Sequence, residues 1–152
     1  MAHSINRTTQ LLLIDDDPSM VRLLTTVLKR EFHDDIEIVA LEHSQAALQW
    51  IQHHVVDILI TDLEMPEVNG LDLLKAAKRR NACTQVFFMT GHSTLDALVD
   101  AMELGATDYL LKPLDQMELI EVIKDARKRL RRWQEALAGT MATRQDSPVA
   151  TA

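Results

Sequence analysis

The amino-acid sequence predicts an α/β fold: a (βα)5 doubly wound sheet of five parallel strands with an extended C-terminal helix. Five short apolar runs alternate with five stretches of helical period: "LLLI" (11–14), "IEIVAL" (36–41), "DILIT" (57–61), "QVFFMT" (85–90) and "DYLL" (108–111). Most runs are apolar on both faces, as suits strands covered by helices on both sides. Strand, helix and strand at these short spacings require right-handed crossovers and an open sheet. At 152 residues the chain holds one domain with a proper core.

The elements follow in order. After the first strand, Pro18 opens a helix with Val21, Leu24 and Leu28 on one face. Ser44 caps a second helix with Leu48 and Ile51 inward, ending near His53 and His54. A third follows Gly70 with Leu71, Leu74 and Ala77; a fourth follows Ser93 or Thr94 with Leu95, Leu98, Val99 and Met102, and Gly105 stands at its C-cap. The last helix carries Leu119, Ile123, Ala126, Leu130, Trp133 and Leu137 at alternating spacings of four and three, an a/d stripe longer than one domain's core needs. The chain therefore divides into a tail (1–8), a globular domain (9–128), a helix extension (129–138) and a disordered tail (139–152) with little apolar content.

Composition removes several function classes. No apolar run approaches the ~20 residues of a membrane span, and the N-terminus lacks the apolar core of a secretion signal, so a cytoplasmic location without membrane insertion is expected. Cys83 is the single cysteine and reads as buried at the start of a strand. Residues 1–123 carry a net charge of −11 and residues 124–152 carry +4. An acidic body argues against direct nucleic-acid binding, and the basic run "KDARKRLRR" reads as a solvated helix end suited to the dipole, with a local contact as its alternative. Met20, Met65, Met89, Met102 and Met117 read as core or loop packing, and the six histidines as solvated or structural.

In such a sheet, ligands bind beyond the carboxyl ends of the strands, where strand order reverses. The residues at those ends are Asp15, Asp16 and Asp17, then Asp62, Thr90 and Lys112. Carboxylates gathered this closely raise one another's pKa or hold a cation, and an oxygen-only ligand set suits Mg²⁺ or Mn²⁺. A hydroxyl and an ammonium opposite that cation make a receptor for phosphoryl oxygens, with Asp62 as the natural nucleophile for an aspartyl-phosphate. Asp17 reads as the N-cap of the helix at Pro18, with an influence on the metal as its alternative.

"LLLIDDDPS", "DILITDLEMPEVNGLDLL", "FFMTG" and "GATDYLLKPLD" together resemble the receiver domain of bacterial two-component response regulators, a CheY-like and flavodoxin-like fold, over roughly residues 9–128. The resemblance implies a response regulator in which Asp62 accepts a phosphoryl group, Mg²⁺-dependently, from a sensor histidine kinase or a histidine phosphotransfer protein. By position, Asp15, Asp16 and Asp62 with the backbone carbonyl of Glu64 would hold the metal, Asp16 most directly. Thr90, Gly91 and Lys112 would bind the phosphoryl group, Thr90 and Tyr109 would form the switch, and Glu64 and His92 occupy positions that tune its lifetime. The family also implies a cis bond before Pro113.

Phosphorylation would then reshape the face of the fourth helix, fifth strand and last helix for a downstream protein partner, and the a/d stripe would pair two copies as a homodimer. The chain reads as a stand-alone receiver or a piece of a larger multidomain regulator, and as a phosphoacceptor with slow self-dephosphorylation, not an enzyme. Two alternatives share parts of the pattern. An aspartyl-phosphate phosphatase would use the same acids but needs a substrate-covering cap, and a flavin module needs a glycine- or hydroxyl-rich cradle where this chain is acidic.

Overall fold

The computed structural model describes residues 7–146. One sheet holds five parallel strands: β1 (Thr9–Ile14), β2 (Ile36–Leu41), β3 (Ile58–Asp62), β4 (Gln85–Thr90) and β5 (Asp108–Leu111), in the spatial order β2-β1-β3-β4-β5. The helices are α1 (Pro18–Phe32), α2 (Ser44–His53), α3 (Gly70–Arg80), α4 (Leu95–Glu103) and α5 (Gln116–Asp146), with a 3-10 turn at His33–Asp35. The doubly wound reading holds. Period-two alternation sends Leu11, Leu13, Ile58, Ile60, Phe87 and Met89 to one face, where Leu24 and Leu28 of α1 and Leu119 and Ile123 of α5 cover them. Leu12, Ile14, Leu59, Val86 and Phe88 go to the other, against Ala47 and Ile51 of α2, Leu73, Leu74 and Ala77 of α3 and Ala101 of α4.

Local chemistry explains the helix starts. Asp17 has extended backbone and its carboxylate accepts from the Ser19 N–H at 2.9 Å, so it caps α1 ahead of Pro18. Asn69 caps α3 by accepting from the Asp72 N–H at 3.0 Å. Thr94 caps α4 by accepting from the Ala97 N–H at 3.2 Å. Gly105 takes the left-handed φ of +94° that a C-terminal stop requires.

Several expectations need correction. Ser44 does not cap α2: it is the first helical residue, and its hydroxyl donates to the Pro66 carbonyl (2.8 Å) and accepts from the Val68 N–H (3.2 Å), tying α2 to the loop after β3. In α3, Leu73 is buried and Leu71 only half-buried, because the stripe facing the sheet is 73, 74 and 77. In α4, Leu95 is 76% exposed and Met102 71%, while Val99 is also exposed; the small Ala97 and Ala101, with Leu98, lie against the sheet instead. A helix with two apolar stripes packs through the one whose small residues let it approach most closely. Met117 is likewise exposed, and Cys83 is half-buried in the turn before β4.

Both ends of the domain differ from the sequence reading. Arg7, read as tail, donates to the carboxylate of Asp57, which is 1% exposed and also accepts from the Gln10 N–H at 2.8 Å. The buried charge needs that partner. Helix α5 continues to Asp146, past the boundary at 138, because one glycine at 139 costs only about 1 kcal/mol among good helix formers. Residues 1–6 and 147–152 of the two tails lie outside the described residues.

Candidate functional site

Strand register builds the site. Ile14 pairs with Thr61, Asp62 with Met89, and Thr90 with Leu111. Asp62 and Thr90 end their strands in these pairs and Asp15 and Lys112 follow one residue beyond them, so the four come together at the carboxyl edge, flanking the point between β1 and β3 where strand order reverses. Carboxylate oxygens of Asp15, Asp16 and Asp62 lie within 4.8 Å of one another. Asp15 is fully buried, Asp62 half-buried and Asp16 exposed. The Lys112 ammonium donates to Asp15 Oδ2 at 2.9 Å and to Asp62 Oδ2 at 2.8 Å. The remaining oxygens of those acids accept from backbone: Asp15 Oδ1 from the Asp17 N–H (2.9 Å) and Asp62 Oδ1 from the Glu64 N–H (3.3 Å). The Lys112–Pro113 bond is cis, and the Lys112 N–H donates to the Thr90 carbonyl at 2.8 Å.

The loop after β3 is shaped by close approach. A Cβ on Gly70 would fall 2.4 Å from the Asp62 carbonyl oxygen and 2.8 Å from the Phe88 ring, so only glycine lets α3 start against the end of β3. The Gly70 N–H then donates to the Leu63 carbonyl at 2.9 Å. Within the loop, the Val68 N–H donates to the Pro66 carbonyl around Glu67, whose φ is +69°, a tight γ-turn. Glu64, Gly91, His92 and Ser93 line a cleft of about 210 Å³ together with Asp62, Thr90 and Lys112.

The electrostatics are those of an underneutralised acid cluster. Partial desolvation, then the carboxylate of Asp15 and more weakly that of Asp62, push Asp16 above the ordinary aspartate pKa. Burial pulls Lys112 down, but its hydrogen bonds to Asp62 and Asp15 outweigh this and hold it above the ordinary lysine value. One ammonium against three carboxylates leaves two negative charges, the charge of one divalent cation. An oxygen-only donor set of that charge fits Mg²⁺ or Mn²⁺. The Thr90 hydroxyl and the Lys112 ammonium line the same cleft as Asp62 and are both hydrogen-bond donors.

The chain matches the profile of the response regulator receiver domain over residues 11–124. It belongs to the receiver domain family. Among curated relatives, the receiver domain is 38% identical over 114 residues to the DNA-binding transcriptional regulator NtrC of Proteus hauseri, covering 75% of this chain and 24% of that protein. It is 32% identical over 143 residues to the transcriptional regulatory protein ZraR of Escherichia coli K12, covering 93% of this chain and 29% of that one. The chain thus spans about a quarter of the length of these relatives. Among solved structures, a response regulator receiver domain protein of Clostridium thermocellum superposes with a TM-score of 0.71 at 30% identity, over 80% of this chain and 98% of that one. A CheY-like receiver domain protein of Methanospirillum hungatei superposes at 0.76, over 83% and 99%; at 22% identity it shows the shared fold.

The sequence-predicted site residues of this receiver domain do not all converge. Asp15, Asp16, Asp62, Thr90 and Lys112 meet at the edge, and Glu64, Gly91 and His92 line the cleft beside them. Asp17 is occupied as a helix cap. Tyr109 stands apart, 48% exposed on β5, on the same sheet face as Thr90 because its register partner Phe88 is two residues before Thr90. Two residues carry more than the sequence reading assigned them. Gly70 appeared there as a motif position and helix start, and its steric necessity emerges only when α3 and β3 are placed together. Ser93 appeared as an alternative cap, and its hydroxyl instead bonds to Thr90.

Proposed function

We propose that Asp62 is the phosphoacceptor of a two-component signalling protein and that Asp15, Asp16, Asp62 and the Glu64 backbone carbonyl hold the Mg²⁺ (or Mn²⁺) its phosphorylation requires. The observation that carries this reading is the meeting of three carboxylates within 4.8 Å, with the Lys112 ammonium 2.8 Å from the Asp62 oxygen. The donor is a phosphohistidine of a sensor kinase or phosphotransfer protein. A carboxylate oxygen of Asp62 forms a bond to phosphorus as the P–N bond breaks, and the departing imidazole keeps the electron pair and takes up a proton. When bound, the divalent cation supplies charge to the phosphoryl oxygens. Lys112 transfers its hydrogen bond from Asp62 to one of those oxygens, and the Thr90 hydroxyl and Gly91 N–H donate to others. Glu64 and His92, lining the cleft, govern how readily water reaches the acyl phosphate.

Phosphorylation adds close to two negative charges beside Thr90. Thr90 turns toward them, Tyr109 moves from its outward position, and the surface of α4, β5 and α5 changes for a protein partner. That surface already exposes Leu95, Met102, Leu111 and Met117. The exposed end of α5 pairs with a second copy. The chain takes up one phosphoryl group per cycle and is not a turnover enzyme.

Intact mass after incubation with Mg²⁺ and a small phosphodonor tests the central step. The wild type gains one phosphate and Asp62→Ala gains none. Equal adducts on both proteins overturn the assignment, and release of many equivalents of phosphate from a small ester supports the phosphatase alternative instead.

A further inference from the structure

Thr90 is already engaged in the resting site. Its hydroxyl and that of Ser93 are hydrogen-bonded to each other. The Thr90 backbone is pinned, since its carbonyl accepts from the Lys112 N–H at 2.8 Å and the residue is buried at the end of β4. What can move is the side chain.

Ser93 sits immediately before the α4 cap. Capping itself falls to Thr94, whose hydroxyl accepts from the Ala97 N–H and whose carbonyl accepts from the Leu98 N–H, each at 3.2 Å. Among the described residues, Thr90 is the hydrogen-bond partner of the Ser93 hydroxyl. The two side chains line one cleft with Asp62 and Lys112, and a Thr90 hydroxyl that gives its single hydrogen to a group on Asp62 no longer has one to give Ser93.

We propose that Ser93 is a positioning residue, a latch that holds the Thr90 hydroxyl in its resting orientation and links that orientation to the first turn of α4. The inference rests on Asp62 being the phosphoacceptor and adds a competitor for the switch hydroxyl. Release of Thr90 frees the residue next to the α4 cap, so the chemical event reaches α4 through three residues of chain. Without the latch, the activated arrangement is more populated before any phosphoryl group arrives, and a phosphoryl mimic binds more tightly in proportion.

The test uses the full chain with Mg²⁺ and beryllofluoride, followed by amide NMR of residues 95–103. Ser93→Ala should bind beryllofluoride about fivefold more tightly than wild type, the worth of one net hydrogen bond. Its α4 signals in the free protein should lie part-way to the bound positions. Ser93→Thr, which keeps the hydroxyl, should behave as wild type. In a Thr90→Val background, Ser93→Ala should leave the α4 signals where they were. Equal affinity of wild type and Ser93→Ala with unmoved α4 signals overturns the latch, and so does an undiminished effect in the Thr90→Val background. No beryllofluoride binding by wild type would instead overturn the phosphoacceptor reading beneath it.

Discussion

Asp15 is a carboxylate with no exposed surface, and the protein keeps it charged-compatible through two donors: the Lys112 ammonium and the Asp17 N–H. Removing the ammonium leaves a buried acid facing two others. Lys112→Met should therefore destabilise the metal-free protein by about 3 kcal/mol in urea unfolding, with Mg²⁺ restoring part of the loss. Because the folded-state pKa of Lys112 is raised, its contribution is fully present below the ordinary lysine value of 10.5 and fades as pH rises through the folded value. From neutral pH upward, the stability gap between wild type and Lys112→Met should thus narrow only above about pH 10.5; a gap that closed near neutrality would refute the pairing. Asp16 works in the opposite sense. Its raised pKa means that the folded state holds the proton more tightly, so the penalty of its charge is absent in strong acid and complete above the folded value. At neutral pH Asp16→Asn should raise the melting temperature of the metal-free protein and abolish the further rise on adding Mg²⁺. A lowered melting temperature would contradict it. These acids, Lys112 and the Asp17 cap were legible because each lies at a strand end in a specific motif. The Ser93 hydroxyl was not, since its partner depends on the path of the chain after β4.

At the scale of elements, alternation between apolar runs and helical stretches was enough to place every strand, and three of the five runs were bounded as observed. Orientation of helices was less legible. Apolar periodicity marked α4 correctly as a helix through Leu95, Leu98, Val99 and Met102, but of these four only Leu98 packs against the core, because close packing selects the stripe with Ala97 and Ala101. Close approach also explains Gly70, which no periodicity can report. Gly70→Ala would push a methyl group into the Asp62 carbonyl and the Phe88 ring, and the backbone must shift to admit it. We expect a loss of about 2 kcal/mol in stability and a fall in Mg²⁺-dependent phosphorylation, because the shift is transmitted to Asp62. Chemical denaturation and intact mass on the same variant check both. By contrast, Gly91→Ala meets nothing closer than 3.6 Å and has no positive φ to lose, so it should fold as wild type. Equal tolerance at the two glycines would remove the steric account.

For the whole molecule, α5 decides how far the domain reaches. The a/d stripe read from the sequence divides in the structure: Leu119, Ile123, Ala126 and Leu130 are buried in the chain's own core, while Trp133 is 58% and Leu137 53% exposed. Met141 continues the exposed part. The free stripe is therefore Trp133, Leu137 and Met141, a little over one heptad, which is too short for a tight coiled coil on its own. Its own apolar area still favours self-association, and the cations beside it, Arg131 and Arg132, oppose it by like-charge repulsion between parallel copies. The expected outcome is a weak, concentration-dependent homodimer, strengthened by added salt because screening removes the repulsion and leaves the apolar contact. Light scattering of the full chain should show a mass rising from near 17.2 kDa toward twice that value with concentration. Trp133→Asp with Leu137→Asp should hold the mass at one chain without altering the unfolding of the domain, since both side chains lie outside its core. A wild-type mass that stays at one chain across the same range, in low and high salt, would overturn the homodimer.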